Sequence, residues 1–117
     1  MTPAVSVVLP VWNREALIGG AIRSVLRQTF EDFELIVVDD ASTDGTAAVV
    51  EAIPDARVRL IRLPDNGRQS VARNRGVAAA RADLVAFQDS DDEWLPTKLE
   101  RQLAALESAP PGTGAAY

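Results

Sequence analysis

The sequence contains no cysteine and no histidine. Without cysteine there are no disulfide bonds and no thiolate nucleophile, and without histidine there is no imidazole base and most zinc sites are excluded. Any catalysis by these 117 residues therefore depends on carboxylates, hydroxyl groups or a hard metal ion.

Long apolar runs and an excess of positive charge are also missing. No stretch approaches the ~20 apolar residues that cross a bilayer, and the N-terminus lacks the basic segment and apolar region of a signal peptide. We therefore expect no transmembrane segment and a cytoplasmic location, or the cytoplasmic face of the membrane for a full-length parent. The formal net charge of -5 argues against nucleic acid as a partner, because phosphate backbones are bound by basic surfaces.

Short β-rich runs alternate with amphipathic stretches along the chain. The predicted strands lie at residues 5–9, 33–38, 58–63 and 84–87, and the predicted helices at 14–27, 46–53, 67–81 and from 96 onward. Asn66, with Gln69 three positions later, is the predicted N-cap of the third helix. This alternation predicts an α/β fold with an open, mostly parallel, Rossmann-like sheet and helices on both faces. We expect residues 1–107 to form this domain and residues 108–117 to be a flexible tail or the start of the next strand.

Ligands of such sheets bind beyond the carboxyl ends of the strands, and acidic residues follow two of the predicted strands. Asp89-Ser90-Asp91 is a D-x-D motif, whose carboxylates suit Mg²⁺ or Mn²⁺ together with a diphosphate. The tripeptide by itself has a high false-positive risk, and a solvated acidic turn that caps the last helix is the alternative.

Three further positions are candidates at the same edge of the sheet. Asp40 follows the second strand and can accept a hydrogen bond from a base or a ribose, or with Asp39 can simply start the turn at residues 41–45. Trp12 either lies against a base or sugar or seals the end of the sheet. Arg68 is the arginine best placed for a phosphate, because it is predicted in the first turn of a helix.

Five blocks of sequence, in this order and spacing, resemble the family 2 glycosyltransferases, which have the GT-A fold. The blocks are residues 5–13 (VSVVLPVWN), 24–30 (SVLRQTF), 34–46 (ELIVVDDASTDGT), 72–76 (ARNRG) and 89–92 (DSDD). Together they extend over roughly residues 4–107, so the resemblance is far more specific than any single block.

The resemblance implies a site for a nucleotide-diphosphate sugar, with a UDP-sugar as the expected partner. It implies that Pro10 and Trp12 flank the nucleotide, that Asp40 contacts the uracil and that Arg68 lies near the base or phosphates. Asp89 would face the ribose or sugar, and Asp91 would hold the Mg²⁺ or Mn²⁺ cofactor.

The resemblance also implies inverting transfer of the sugar to an acceptor hydroxyl, with a carboxylate base. No residue here matches that base, which we expect beyond Tyr117. We therefore expect a domain truncated before its acceptor half, inactive alone, whose exposed sheet edge could support a homo-oligomer.

Two other function classes remain as alternatives. A phospho-receiver domain also uses strand-end aspartates with Mg²⁺, but it needs an acidic pair after the first strand and a lysine after a late strand. Here Pro-Val-Trp-Asn ends the first strand, and the only lysine, Lys98, lies within the last helix. A non-catalytic nucleotide-binding α/β fragment is the second alternative. A dinucleotide-dependent oxidoreductase is disfavoured, since no G-x-G-x-x-G follows the first strand.

Overall fold

The computed structural model describes residues 2–107 and 115–116, which form a five-stranded sheet with four helices. The elements in chain order are β1 (Val5–Val11), α1 (Ile18–Leu26), β2 (Phe33–Asp39), α2 (Thr46–Glu51), β3 (Val58–Arg62), α3 (Arg68–Ala79), β4 (Leu84–Phe87), α4 (Lys98–Glu107) and β5 (Ala115–Ala116). The strand order is β3-β2-β1-β4-β5, and every neighbouring pair is parallel. The predicted open parallel α/β sheet is confirmed.

Helices cover both faces of the sheet, because successive side chains of a strand point to opposite faces. On β2, Leu35 and Val37 belong to the larger apolar core, which also contains residues of α1, α2 and α4. Ile36 and Val38 belong to a smaller core with Ala72 of α3. Both central strands, β1 and β2, are therefore buried along their whole length, as continuous apolar runs in a parallel sheet should be.

The helix α3 lies very close to the sheet at Gly76. A Cβ atom at this position would be 2.4 Å from Cγ1 of Val8 and 3.2 Å from Cγ2 of Val38. Only a residue without a side chain permits this approach.

The strand β1 continues through Pro10 to Val11, whereas the sequence predicted that it ends before this proline. Proline has no N–H to donate and interrupts a central strand when that donor is needed. Here β4 pairs with β1 only as far as Val8, whose carbonyl accepts the N–H of Gln88 at 3.0 Å. The backbone groups of successive strand residues point to opposite sides, so the nitrogen of Pro10 points to the same side as the backbone groups of Val8, toward β4. Since β4 has already ended there, the N–H that Pro10 lacks is not needed for pairing.

The two edges of the described sheet are β3 and the two-residue β5. On β3, Arg59 and Arg62 place charge along this edge of the sheet, a common feature of protected edges. Self-association through an edge and the domain boundary at residue 107 stay predictions, since residues 108–114 and 117 lie outside the described residues. None of the described helices has the length and apolar character that a bilayer span requires.

Candidate functional site

A cleft of about 350 Å³ lies at the carboxyl ends of β1, β2 and β4. It joins five of the six residues proposed from the sequence, namely Pro10, Trp12, Asp40, Asp89 and Asp91. Its other lining residues are Val11, Arg14, Gln69, Ala72 and Ser90. Pro10 and Asp91, which are 81 positions apart in the chain, therefore line one cavity because the strands are parallel and their carboxyl ends share one edge of the sheet.

Asp40 is the most enclosed of the acidic residues in the cleft, with 4% of its surface exposed. Its N–H donates to the carbonyl of Val11 at 2.8 Å, which continues the β1–β2 ladder by one residue. Its Oδ1 accepts the N–H of Gly67 at 2.8 Å, directly before α3. Asp40 thus connects the end of β2 to the start of α3 as well as lining the cleft.

Arg68 is exposed and, among the described residues, does not contribute to the lining of this cleft. It is the first residue of α3, and its φ of 70° lies in the left-handed region, which is uncommon for residues other than glycine. The predicted N-cap at Asn66 is wrong, because Gly67 holds that position without a side-chain cap. Asn66 instead accepts the N–H of Arg68 through Oδ1 at 3.2 Å, a local turn bond typical of asparagine.

The D-x-D segment forms an exposed turn after β4. The N–H of Asp92 donates to the carbonyl of Asp89 at 3.1 Å. Oδ1 of Asp89 lies 3.8 Å from Nη2 of Arg73, an exposed pair that adds little stability. The helix α4 begins only at Lys98, so Asp89 and Asp91 lie outside its first turn and do not cap it.

Gln88, which the sequence analysis did not single out, fixes the base of this turn. It is 2% exposed, and its Nε2 donates to the carbonyls of Ala21 and Asp92, each at 3.1 Å. The sequence signal for this role is the position of Gln88 between an apolar strand and an acidic run, where a buried amide must find hydrogen-bond partners.

The loop that carries Trp12 is bonded to the loop after β2. The N–H of Asn13 donates to Oγ of Ser42 at 2.9 Å, and Oδ1 of Asn13 accepts the N–H of Thr43 at 2.8 Å. Asn13 and Ala41 have φ values of 49° and 61°, so both loops contain left-handed residues. With Arg68, every non-glycine residue of positive φ in the described chain lies at the cleft end of the sheet, where backbone strain accompanies function in many proteins.

The carboxylate of Asp44 lies in the loop after β2 and accepts hydrogen bonds from Thr46, the first residue of α2. The hydroxyl of Thr46 donates to it, and together with the N–H of Thr46 this holds the pKa of Asp44 below its usual range. Glu15 completes the connection from the other loop by accepting the N–H of Gly45 at 2.7 Å.

The donor set of the cleft fits a hard divalent cation that also binds a ligand. Within the described part of the chain, no group of three or more acidic side chains is arranged to hold a metal by itself. Mg²⁺ and Mn²⁺, however, are commonly bound by one or two carboxylates together with substrate phosphates. Asp89 and Asp91 line the same cavity and can supply those carboxylates.

Comparison with known proteins finds glycosyltransferases among the relatives of this chain. Glucosyltransferase WfgD of Escherichia coli, named for transfer from UDP-Glc to GlcNAc-diphosphoundecaprenol, is 38% identical over 102 residues, which is 87% of this chain and 40% of WfgD. The crystal structure of S. aureus TarS 1-349 in complex with UDP-GlcNAc superimposes with a TM-score of 0.83 at 32% identity, covering 92% of this chain and 31% of that one.

The mannosyltransferase PcManGT of Pyrobaculum calidifontis, solved with GDP-Man and Mn²⁺, gives a TM-score of 0.84 at 29% identity over 95% of this chain and 34% of its own. The chain thus spans less than half the length of these relatives. The family model described as Glycosyl transferase family 2 matches residues 6–114. This match, the parallel sheet and the relatives together show that the chain belongs to glycosyl transferase family 2 and has the GT-A fold.

Proposed function

We propose that this chain forms the donor side of an inverting glycosyltransferase and binds a UDP-sugar with a divalent cation. The observation that carries the proposal is the single cleft of about 350 Å³ that joins Asp40 after β2 with Asp89 and Asp91 after β4. Acidic residues from two strand ends can contact two different parts of one ligand, a base and a diphosphate.

In this proposal the base and ribose lie against β1 and β2. The half-exposed indole of Trp12 offers an apolar face, and Pro10 also lines the cleft. A carboxylate is an acceptor only, so Asp40 suits the imide N–H of uracil. Since Oδ1 of Asp40 already accepts the N–H of Gly67, we assign the base contact to Oδ2.

The diphosphate then lies toward the D-x-D turn. We assign the metal contact to Asp91 and the ribose or sugar contact to Asp89. A bound Mg²⁺ or Mn²⁺ would neutralise the charge that develops on the leaving diphosphate. The TarS complex with UDP-GlcNAc and the PcManGT complex with Mn²⁺ support the choice of ligand and cation. Arg68 remains proposed near the base or phosphates, although its side chain is exposed.

The reaction that we propose for the whole protein forms a bond between an acceptor oxygen and the anomeric carbon while the bond from that carbon to the diphosphate breaks. Attack from the opposite side inverts the configuration, and a carboxylate base takes the proton of the acceptor hydroxyl. Asp40, Asp89 and Asp91 are assigned to the donor, so we place this base beyond Tyr117.

Calorimetric titration with UDP, in Mn²⁺ and in EDTA, tests this function. We expect UDP to bind about tenfold more tightly in Mn²⁺, a difference of about 1.4 kcal/mol, and to be preferred over GDP. Asp91→Asn should remove the dependence on Mn²⁺. Asp92→Asn is the matched control, because Asp92 belongs to the same turn but does not line the cleft, and it should retain that dependence.

The possible failures have different meanings. Equal UDP affinity in Mn²⁺ and EDTA would refute the metal role of Asp91 while leaving the nucleotide site in place. Absence of UDP binding in both solutions would refute the donor site itself.

A further inference from the structure

Asp39 is a buried carboxylate to which the proposed donor site assigns no ligand contact. It is 0% exposed and, unlike its neighbour Asp40, does not line the cleft. Within the described part of the chain its Oδ2 has no hydrogen-bond partner, and Nε of Arg62 lies 3.7 Å away, too far for a hydrogen bond. Burial of a carboxylate is unfavourable unless its oxygens are well bonded. Among the described residues, Ser42 supplies the one hydrogen bond that a side-chain oxygen of Asp39 accepts, so the loss of this bond should have a large effect.

That hydrogen bond begins a connected path from β2 to the cleft. Oδ1 of Asp39 accepts the N–H of Ser42 at 3.1 Å. Oγ of Ser42 accepts the N–H of Asn13 at 2.9 Å, and Asn13 directly follows Trp12, which lines the cleft. The path therefore runs from Asp39 through Ser42 and Asn13 to the indole that we place against the nucleotide.

The backbone along this path needs such support. Ala41 has a φ of 61°, a left-handed conformation that alanine rarely keeps in a free loop. Asn13, with a φ of 49°, is also left-handed, a conformation that asparagine adopts more readily. Half of the surface of Trp12 is exposed, so packing alone does not fix its position. The hydrogen bond from the N–H of Asn13 to Oγ of Ser42 holds the peptide after Trp12 in place instead.

We propose that Asp39 is a positioning residue that holds Trp12 at the cleft through Ser42 and Asn13. The proposal rests on the proposed function only in that Trp12 is taken to contact the nucleotide. Asp39 itself touches no ligand. Its effect on binding is expected to depend entirely on Trp12, and this distinguishes positioning from a general contribution to stability.

Fluorine NMR of the protein labelled with 5-fluorotryptophan reports on the position of Trp12 directly. The chain has two tryptophans, and buried Trp94 serves as an internal reference. Trp12→Phe assigns the two resonances. We expect Ser42→Ala and Asp39→Ala to shift the Trp12 resonance and to increase its response to exchange of H₂O for D₂O, while the Trp94 resonance stays unchanged. Asp39→Asn keeps an oxygen for the N–H of Ser42 and should restore the Trp12 resonance.

UDP titration of the same variants measures the consequence for binding. Ser42→Ala should raise the Kd about three- to tenfold, the size of a coupling between residues of one network. In a Trp12→Ala background the same substitution should have no further effect. Ser70→Ala, an exposed serine of α3, is the matched control and should alter neither the spectrum nor the Kd.

An unchanged Trp12 resonance in folded Ser42→Ala would overturn the proposal. So would a loss of UDP affinity that is equally large with and without Trp12. If the Trp12 resonance moves as expected but the unsubstituted protein does not bind UDP, the positioning of Trp12 stands and the proposed function fails.

Discussion

The carboxylate of Asp40 links a strand end to a helix start, because its Oδ1 accepts the N–H of Gly67 while the residue also lines the cleft. Substitution by alanine would remove both the proposed base contact and this connection. Asparagine retains an acceptor oxygen for Gly67 but offers an amide in place of the second carboxylate oxygen. The two substitutions therefore separate recognition from structure.

We predict that Asp40→Asn weakens UDP binding about 10- to 100-fold, since a hydrogen bond to a charged group contributes about 1.5–3 kcal/mol. The Mn²⁺ dependence of the remaining binding should persist, because Asp91 lies after a different strand. Calorimetry measures both quantities, and the thermal midpoint should change more in Asp40→Ala than in Asp40→Asn. Loss of the Mn²⁺ effect with unchanged preference for UDP over GDP would contradict the assignment.

At the scale of the elements, Glu34 joins three strands and a helix at the opposite end of the sheet from the cleft. Its carboxylate on β2 accepts Oγ–H of Ser6 on β1 at 2.6 Å, Nη1–H of Arg59 on β3 at 2.7 Å and the N–H of Arg81 after α3 at 2.7 Å. Arg59 also donates to the carbonyl of Ala79, the last residue of α3. Two acidic residues that are close in sequence therefore hold the two ends of α3. Asp40 accepts the N–H of Gly67 before the helix, and Glu34 accepts the N–H of Arg81 after it.

These bonds determine how Glu34 responds to pH. Burial raises the pKa of Glu34, but hydrogen bonds from Ser6, Arg81 and Arg59 outweigh that effect and keep it below its ordinary value of 4.5. Because the folded state binds the proton less readily than the unfolded state, the ionised Glu34 stabilises the fold above pH 4.5. That contribution is lost as the pH falls through the lower pKa of the folded state.

We predict that Glu34→Gln lowers the free energy of unfolding at pH 7 by about 1.5–3 kcal/mol, the contribution of hydrogen bonds to a charged group. Urea unfolding of wild type and variant at pH 7 and near pH 3 tests this. The difference between them should shrink as the pH falls below 4.5, because the wild type loses the charge of Glu34 as the pH passes through the lowered pKa of its folded state. Exposed Glu51→Gln is the control and should leave stability unchanged at both pH values. A difference of equal size at both pH values would refute the role of the charge.

The elements and the convergence of acids could be predicted because they follow from local patterns. Apolar runs marked the strands, and the rule that parallel strands share a carboxyl-end edge placed Asp40, Asp89 and Asp91 together. Two sets of hydrogen bonds could not be predicted, those of Glu34 to Ser6 and Arg59 and that between Asn13 and Thr43. Each joins positions 25 or more apart in the chain and depends on the orientation of a side chain. Capping preferences predicted Asn66 as the N-cap of α3, but the N-cap is Gly67. The N–H of Gly67 donates to Asp40, a tertiary hydrogen bond that local capping preferences do not include.

At the scale of the whole molecule, the described sheet has its acidic cleft at one end and a charge-paired cluster around Glu34 at the other. This chain matches 31% of the length of TarS 1-349 and 34% of the length of PcManGT. Every residue that we assign to chemistry faces the donor, and none is assigned to an acceptor. The division of labour that we propose for the whole protein therefore leaves acceptor binding and proton removal to other sequence.

The last prediction is that the 117-residue chain alone forms no glycoside when supplied with UDP-sugars, Mn²⁺ and a panel of acceptors. A positioned base contributes about 10²- to 10⁴-fold in rate, and no histidine is present to replace it. Without an acceptor site, the gain from holding the hydroxyl against the anomeric carbon, about 7–11 kcal/mol at best, is lost as well. Slow hydrolysis of the donor can persist, because water needs no acceptor pocket. Mass spectrometry of the products distinguishes the two reactions, with a full-length family member as the positive control. Glycoside formation that disappears in Asp91→Asn would show that a base lies within residues 1–117 and would refute the donor-only assignment.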